Sequence, residues 1–220
     1  SSRGAAIVGF PEASLTGYVD PRKYPDASID IEGPEVSELR RLTANCPPIA
    51  LVGLVERNPE GKPFITQIAL RRGELLGIYR KRTIAGEEAE LFSAGVESPV
   101  FMSGSLAFGI AICADIEDES LFSGLRARGA RLVFELAAPG LYGDQATRNW
   151  SSGYEWWQGD CAKKLGRYAR GSGLWIAVVT QAGRTVDEDF PGGGFLFSPD
   201  GERRYATPDW NPCSVYLDII

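Results

Sequence analysis

Histidine is absent from all 220 residues. That absence removes Ser-His-Asp and Cys-His catalytic schemes, together with the commonest metal ligand. A nucleophile in this chain has to be activated by a carboxylate or an amine. Paired cysteines are also lacking. Cys46, Cys113, Cys161 and Cys213 are widely scattered with no CxxC, which fits neither a disulfide framework nor a zinc site. The simplest expectation is a reduced thiol population and a cytoplasmic location. No apolar run is long enough to span a bilayer, and no secretory signal pattern opens the sequence. There is no basic excess, because 23 Lys and Arg stand against 29 Asp and Glu for a net charge of −6. That balance argues against a nucleic-acid or anionic-membrane partner. Repeats, low-complexity tracts and linkers are missing too, so one domain with one substantial core is expected.

What is present centres on Leu106–Ala107–Phe108–Gly109–Ile110–Ala111–Ile112–Cys113–Ala114–Asp115. Side chains alternate faces along a strand. Leu106, Phe108, Ile110 and Ile112 form one apolar face, and Ala107, Gly109, Ala111 and Cys113 form a second, small one. A strand buried on both sides is expected. A thiol at its C-terminal end, before an acidic helix start, stands where open sheets place their chemistry. A buried structural cysteine fits the same position.

Before it, Ala5–Phe10 reads as a buried strand ended by Pro11, with Glu12 directly after. A carboxylate there is costly unless solvated or paired, and an exposed loop glutamate is the plainer alternative. Glu35 to Asn45 carries helical spacing and stops at Cys46–Pro47–Pro48. Ile49–Val55, Phe64–Leu70 and Leu75–Arg80 read as an antiparallel meander. It ends in Tyr79–Arg80–Lys81–Arg82–Thr83, a basic cluster that also fits a solvated face. A short strand at Val100–Met102 precedes the central one. After Cys113 come a helix near Glu119–Arg128 and a strand at Ala130–Leu136. An aromatic segment expected to be irregular then runs from Ala137 to Gln158, either functional or a core or interface plug. A helix at Cys161–Arg170, a strand at Leu174–Thr180, a hairpin of Phe195–Phe197 with Arg204–Ala206, and a last strand at Ser214–Ile220 complete the chain. The mixture of parallel and antiparallel connections implies an α/β fold of two stacked mixed sheets with helices outside, a four-layer sandwich.

Glu12, Lys81 and Cys113 thus end three expected strands. A carboxylate can take a proton from the thiol and return it to a leaving amine, and an ammonium can stabilise the oxyanion. Phe10–Pro11–Glu12–Ala13–Ser14–Leu15–Thr16–Gly17–Tyr18, Tyr79–Arg80–Lys81–Arg82–Thr83, Phe92–Ser93–Ala94–Gly95 and Gly109–Ile110–Ala111–Ile112–Cys113–Ala114–Asp115 resemble, in order, the motifs of the nitrilase superfamily, the carbon–nitrogen hydrolases. Val179–Gly183 and Gly194–Gly201 resemble its closing strands.

The resemblance implies the αββα sandwich and a Glu12–Lys81–Cys113 triad. It also implies a second glutamate supporting the lysine, for which Glu88 has the best spacing and Glu87 and Glu90 compete. A surface carboxylate is the alternative for Glu88. The implied reaction attacks an amide or N-carbamoyl carbonyl through a cysteine thioester, with the Ala114 N–H beside the oxyanion. Neither a metal nor an organic cofactor is needed. A small-molecule amide as substrate and a homodimer or larger homo-oligomer are implied as partners. Tyr18 and Tyr142, on loops expected to line the pocket, are candidate substrate contacts. Relatives begin with a strand and helix that this sequence lacks, so residues 1–220 are expected as a single domain without them, with an edge or an unfilled layer exposed; an incomplete sequence is the alternative. Ala114 stands where many relatives carry Trp or Tyr, which favours an amide over a nitrile. Nitrile hydrolysis and a catalytically silent interaction module remain the alternatives.

Overall fold

The computed structural model describes residues 4–141, 147–186 and 188–219. The chain runs β1 (Ile7–Gly9), β2 (Ser28–Ile29), α1 (Pro34–Thr43), β3 (Ile49–Glu56), β4 (Phe64–Arg71), β5 (Glu74–Arg80), α2 (Glu88–Leu91), β6 (Phe101–Ser103) and β7 (Leu106–Ile112). It continues with a 3-10 turn (Cys113–Glu117), α3 (Glu119–Ala127), β8 (Leu132–Ala137), α4 (Trp150–Ser172), β9 (Trp175–Thr180), β10 (Ala182–Arg184), β11 (Asp189–Pro191), β12 (Gly194–Phe197) and β13 (Arg203–Ala206).

Two mixed sheets stack. The first has the order β1-β3-β4-β5, with β2 also on β3; the second runs β13-β12-β9-β8-β7-β6. Parallel pairing joins β1 to β3, β7 to β8 and β8 to β9, and the meander and hairpins are antiparallel. The sheets meet where Gly9 of β1 faces Phe134 and Leu136 of β8. Phe108 stacks on Phe101 and meets Phe134 edge-on in the same layer. Outside the first sheet, α1 covers a cluster of Ile29, Val36, Val52, Leu54, Ile68 and Leu70. Outside the second, α3 and α4 pack together and against the strands. This is the expected four-layer arrangement.

The small face of β7 has a packing reason. A Cβ added at Gly109 would lie 2.7 Å from Leu125 Cδ1 of α3, so the helix sits closer than larger residues would permit. Phe108, Ile110 and Ile112 fill the other side and are almost wholly buried.

Three elements differ from the sequence reading. The first strand is shorter than Ala5–Phe10 and only half-buried, because β1 is an edge strand in its sheet. The aromatic segment is not irregular to Gln158: α4 begins at Trp150, eleven residues before Cys161. Asn149 caps it by accepting the Ser152 N–H at 3.2 Å. Tyr154, Trp157, Cys161, Leu165, Tyr168 and Ala169 then form one buried stripe, spaced as an amphipathic helix requires. Finally, residues 214–219 form no strand. They are mostly exposed and no neighbouring strand offers them a ladder.

Candidate active site

The site gathers where chain leaves the ends of β1, β5, β7 and β8. After β1, the loop bearing Glu12 lies flat on β3 and β4. Phe10 N–H donates to Leu51 O at 2.9 Å and Leu15 N–H to Gly53 O at 2.8 Å. Ser14 Oγ accepts from Gly53 N–H at 3.1 Å, and Gln67 Nε2 donates to Pro11 O at 3.2 Å. Only glycine fits at position 53, where a Cβ would stand 2.5 Å from both Ala13 N and Pro11 O. Glu12 is buried rather than an exposed loop residue.

The basic cluster after β5 is divided by strand alternation. Arg80, partly exposed, makes a bidentate pair with Glu56 at 2.5 and 2.7 Å. The next side chain, Lys81, points inward with no exposure at all. Its backbone is pinned on both sides, by N–H donation to Ile65 O at 2.8 Å and by acceptance from Gly95 N–H at 2.7 Å. The ammonium donates to Glu12 Oε1 at 2.9 Å and to Glu88 Oε1 and Oε2 at 2.7 and 2.9 Å. Glu87 and Glu90, the competing carboxylates, are exposed. Glu12 Oε2 accepts the Ala138 N–H at 2.9 Å, just beyond β8. Tyr18 donates its hydroxyl to Glu88 Oε1 at 2.6 Å, and its ring stands beside Phe92 and Phe190. Tyr142 lies outside the described residues.

Cys113 follows the last residue of β7 with a φ of +46°, and Ala13 beside Glu12 has +49°. For residues with a Cβ this left-handed conformation costs about 1–3 kcal/mol and concentrates at working sites. Here it breaks the alternation of β7 and begins the 3-10 turn in which Ala114 is the second residue. Asp115 holds this elbow. Its Oδ2 accepts from Ile112 N–H at 2.9 Å and Tyr79 O–H at 2.6 Å, and its Oδ1 accepts from Thr83 N–H at 2.7 Å and Arg82 N–H at 3.2 Å. One buried carboxylate therefore ties the cysteine elbow to the chain leaving Lys81.

Electrostatics define the resting state. Burial pushes the Cys113 thiol well above its ordinary value, Glu12 adds to the push, and Lys81 opposes it. The sulfur therefore rests as a thiol. Burial also raises Glu12, against the charge of Lys81 and hydrogen bonding from Lys81 and the Cys113 thiol. Burial alone would lower Lys81, but the carboxylates Glu12 and Glu88 outweigh it and keep the ammonium charged. Tyr18 is held protonated by burial and by Glu88 and Glu12. The arrangement is a thiol, a carboxyl base and a fixed cation within one buried cluster.

The carbon-nitrogen hydrolase family model matches residues 1–218. The chain belongs to that family. Among curated relatives, a bifunctional nitrilase/nitrile hydratase of Lupinus angustifolius is 30% identical over 152 residues, 60% of this chain and 44% of that protein. A glutamine-dependent NAD(+) synthetase of Acinetobacter baylyi is 22% identical over 226 residues, 99% of this chain and 38% of that protein. The chain thus spans less than half the length of these relatives. Among solved structures, a variant of the amidase of Nesterenkonia AN1 superposes with a TM-score of 0.78 at 23% identity, covering 96% of this chain and 76% of its own. That likeness shows the nitrilase-type αββα fold.

Within this family member, the structure brings Glu12, Lys81, Glu88 and Tyr18 into one hydrogen-bonded chain and sets the Cys113 thiol against Glu12. Sequence reasoning passed over Asp115, which looked like part of an acidic helix start. It also passed over Glu135, a buried carboxyl on β8. A charged residue inside the apolar run Leu132–Ala137 was the available signal.

Proposed function

We propose that this chain hydrolyses the carbon–nitrogen bond of an amide or N-carbamoyl small molecule through a thioester on Cys113. The observation that carries this is the Glu12–Lys81–Glu88 chain of hydrogen bonds closing on a thiol at a left-handed elbow.

Sulfur attacks the carbonyl carbon as its proton passes to Glu12. The Lys81 ammonium and the Ala114 N–H stabilise the oxyanion; one such donor is typically worth about 10²–10³ in rate. The tetrahedral adduct collapses, the C–N bond breaks, and Glu12 gives its proton to the leaving amine or ammonia. Glu12 then takes a proton from water, which attacks the thioester, and returns it to sulfur as the acid leaves. Glu88 and Tyr18 keep Lys81 charged and aimed, with the Tyr18 ring as one wall for the acyl group. The protein works without a metal or organic cofactor, in the cytoplasm, as a homodimer or larger homo-oligomer.

Nitrile hydrolysis is the second reading, favoured by the 30% identity to the lupin nitrilase/nitrile hydratase. The small Ala114 beside the nucleophile and the relative named for glutamine, itself a primary amide, favour the first. Ammonia release from matched amide, carbamoyl and nitrile substrates separates them. The expected result is turnover of the amide or carbamoyl compound and none by Cys113→Ala, whose circular dichroism stays parental. A Cys113→Ala protein with the parent's rate would overturn the proposal.

A further inference from the structure

Glu135 takes no part in the reaction above. It sits at the middle of β8 with no exposure. In register it lies between Ala111 of β7 and Val178 of β9, with Val133 and Ala137 flanking it on its own strand. That row shares the face of Gly109, against the outer helices. Neither carboxyl oxygen makes a well-formed hydrogen bond, although the Cys113 N–H lies nearby. The titratable groups that feel it are Cys113 and Asp115 from the elbow, Glu12 after β1, Tyr79 and Lys81 at the end of β5, and Cys161 of α4. Lys81 is the sole cation among these, and Glu12 and Glu88 already occupy it.

An unpaired carboxylate in such surroundings takes up a proton rather than stay charged. Asp115 differs in its surroundings: burial raises it too, but four donors converge on it and oppose that rise.

We propose that Glu135 stands as the neutral acid beside the Cys113 elbow, and that its ionisation at alkaline pH disfavours the Cys113 thiolate. The inference rests on Cys113 being the nucleophile. Burial lifts the Glu135 carboxyl well above the usual range, Asp115 and Glu12 add to this, and Lys81 and the nearby Cys113 N–H oppose it. Once its proton is lost to solvent, a second negative charge joins Glu12 in disfavouring the thiolate.

The test is site-resolved alkylation of Cys113 by iodoacetamide against pH, read on the Cys113 peptide by mass spectrometry. The parent is compared with Glu135→Gln and Glu135→Leu, neither of which can ionise at this position. The proposal expects equal rates near neutrality and faster labelling of both variants at alkaline pH. One pKa unit of coupling makes that difference about tenfold. In the parent alone, it expects a rise with pH broader than a single titration, so the test stands even if a variant fails to fold. Superimposable profiles, a difference that is the same at every pH, or a single-site curve in the parent would overturn it. The readout needs no substrate. Absent amide turnover alongside the expected divergence would count against the proposed function and leave this inference standing.

Discussion

Glu88 differs from its exposed neighbours Glu87 and Glu90 in that both of its oxygens meet the Lys81 ammonium and one also accepts the Tyr18 hydroxyl. Glu88→Gln removes one negative charge from that contact and loosens the aim of Nζ. Small misplacements of catalytic groups cost about 10²-fold, so kcat should fall by roughly that factor while KM moves less. Steady-state kinetics on the best amide would check it, and a variant with the parent's kcat would remove Glu88 from the site. At this scale the sequence was legible where chemistry and position coincide. Glu12, Lys81 and Cys113 could be singled out because each ends an apolar strand. Asp115 could not, because its four partners come from segments that meet only after folding. Glu135 was hidden inside a strand read for its apolar residues, and strand periodicity says nothing about which buried polar atom lacks a partner.

Among the elements, the loop of Glu12 depends on a missing side chain in β3. Gly53→Ala puts a methyl group 2.5 Å from Pro11 O and Ala13 N. Backbone cannot yield there without moving Glu12 away from Lys81. The expected outcome is a loss of turnover on the order of 10²-fold, larger than the accompanying fall in Tm would explain. Kinetics and melting on one preparation would check this, and unchanged kinetics would show that the loop is placed by something else. The layers and most strands were readable from periodicity. The start of α4 was not, because Trp150, Tyr154 and Trp157 suggested a loop by their bulk while their spacing matched a helix. The last strand failed for a different reason: an apolar alternating pattern at residues 214–219 makes a strand only where a partner edge exists.

At the scale of the molecule, three buried acids set the response to pH. Burial raises Glu12, Asp115 and Glu135 above their ordinary values of 4.5, 3.8 and 4.5. The folded chain then binds more protons than the unfolded one above those values. Stability is greatest below them and declines as pH rises through the folded values. The lowered acids Asp20, Glu38 and Asp200 act at more acid pH. Tm should therefore fall as pH rises above the ordinary carboxylate range, and Glu135→Gln should flatten the slope; differential scanning calorimetry would show it. A Tm that rises with pH there would contradict this. No helix among the described residues is long and apolar enough to cross a bilayer.

The most direct test of the central claim is peptide mapping of protein acid-quenched during turnover of a primary amide. The account predicts the acyl mass on the peptide carrying Cys113 and no other. An acyl group on a different residue, or continued amide turnover with none on Cys113, would contradict it.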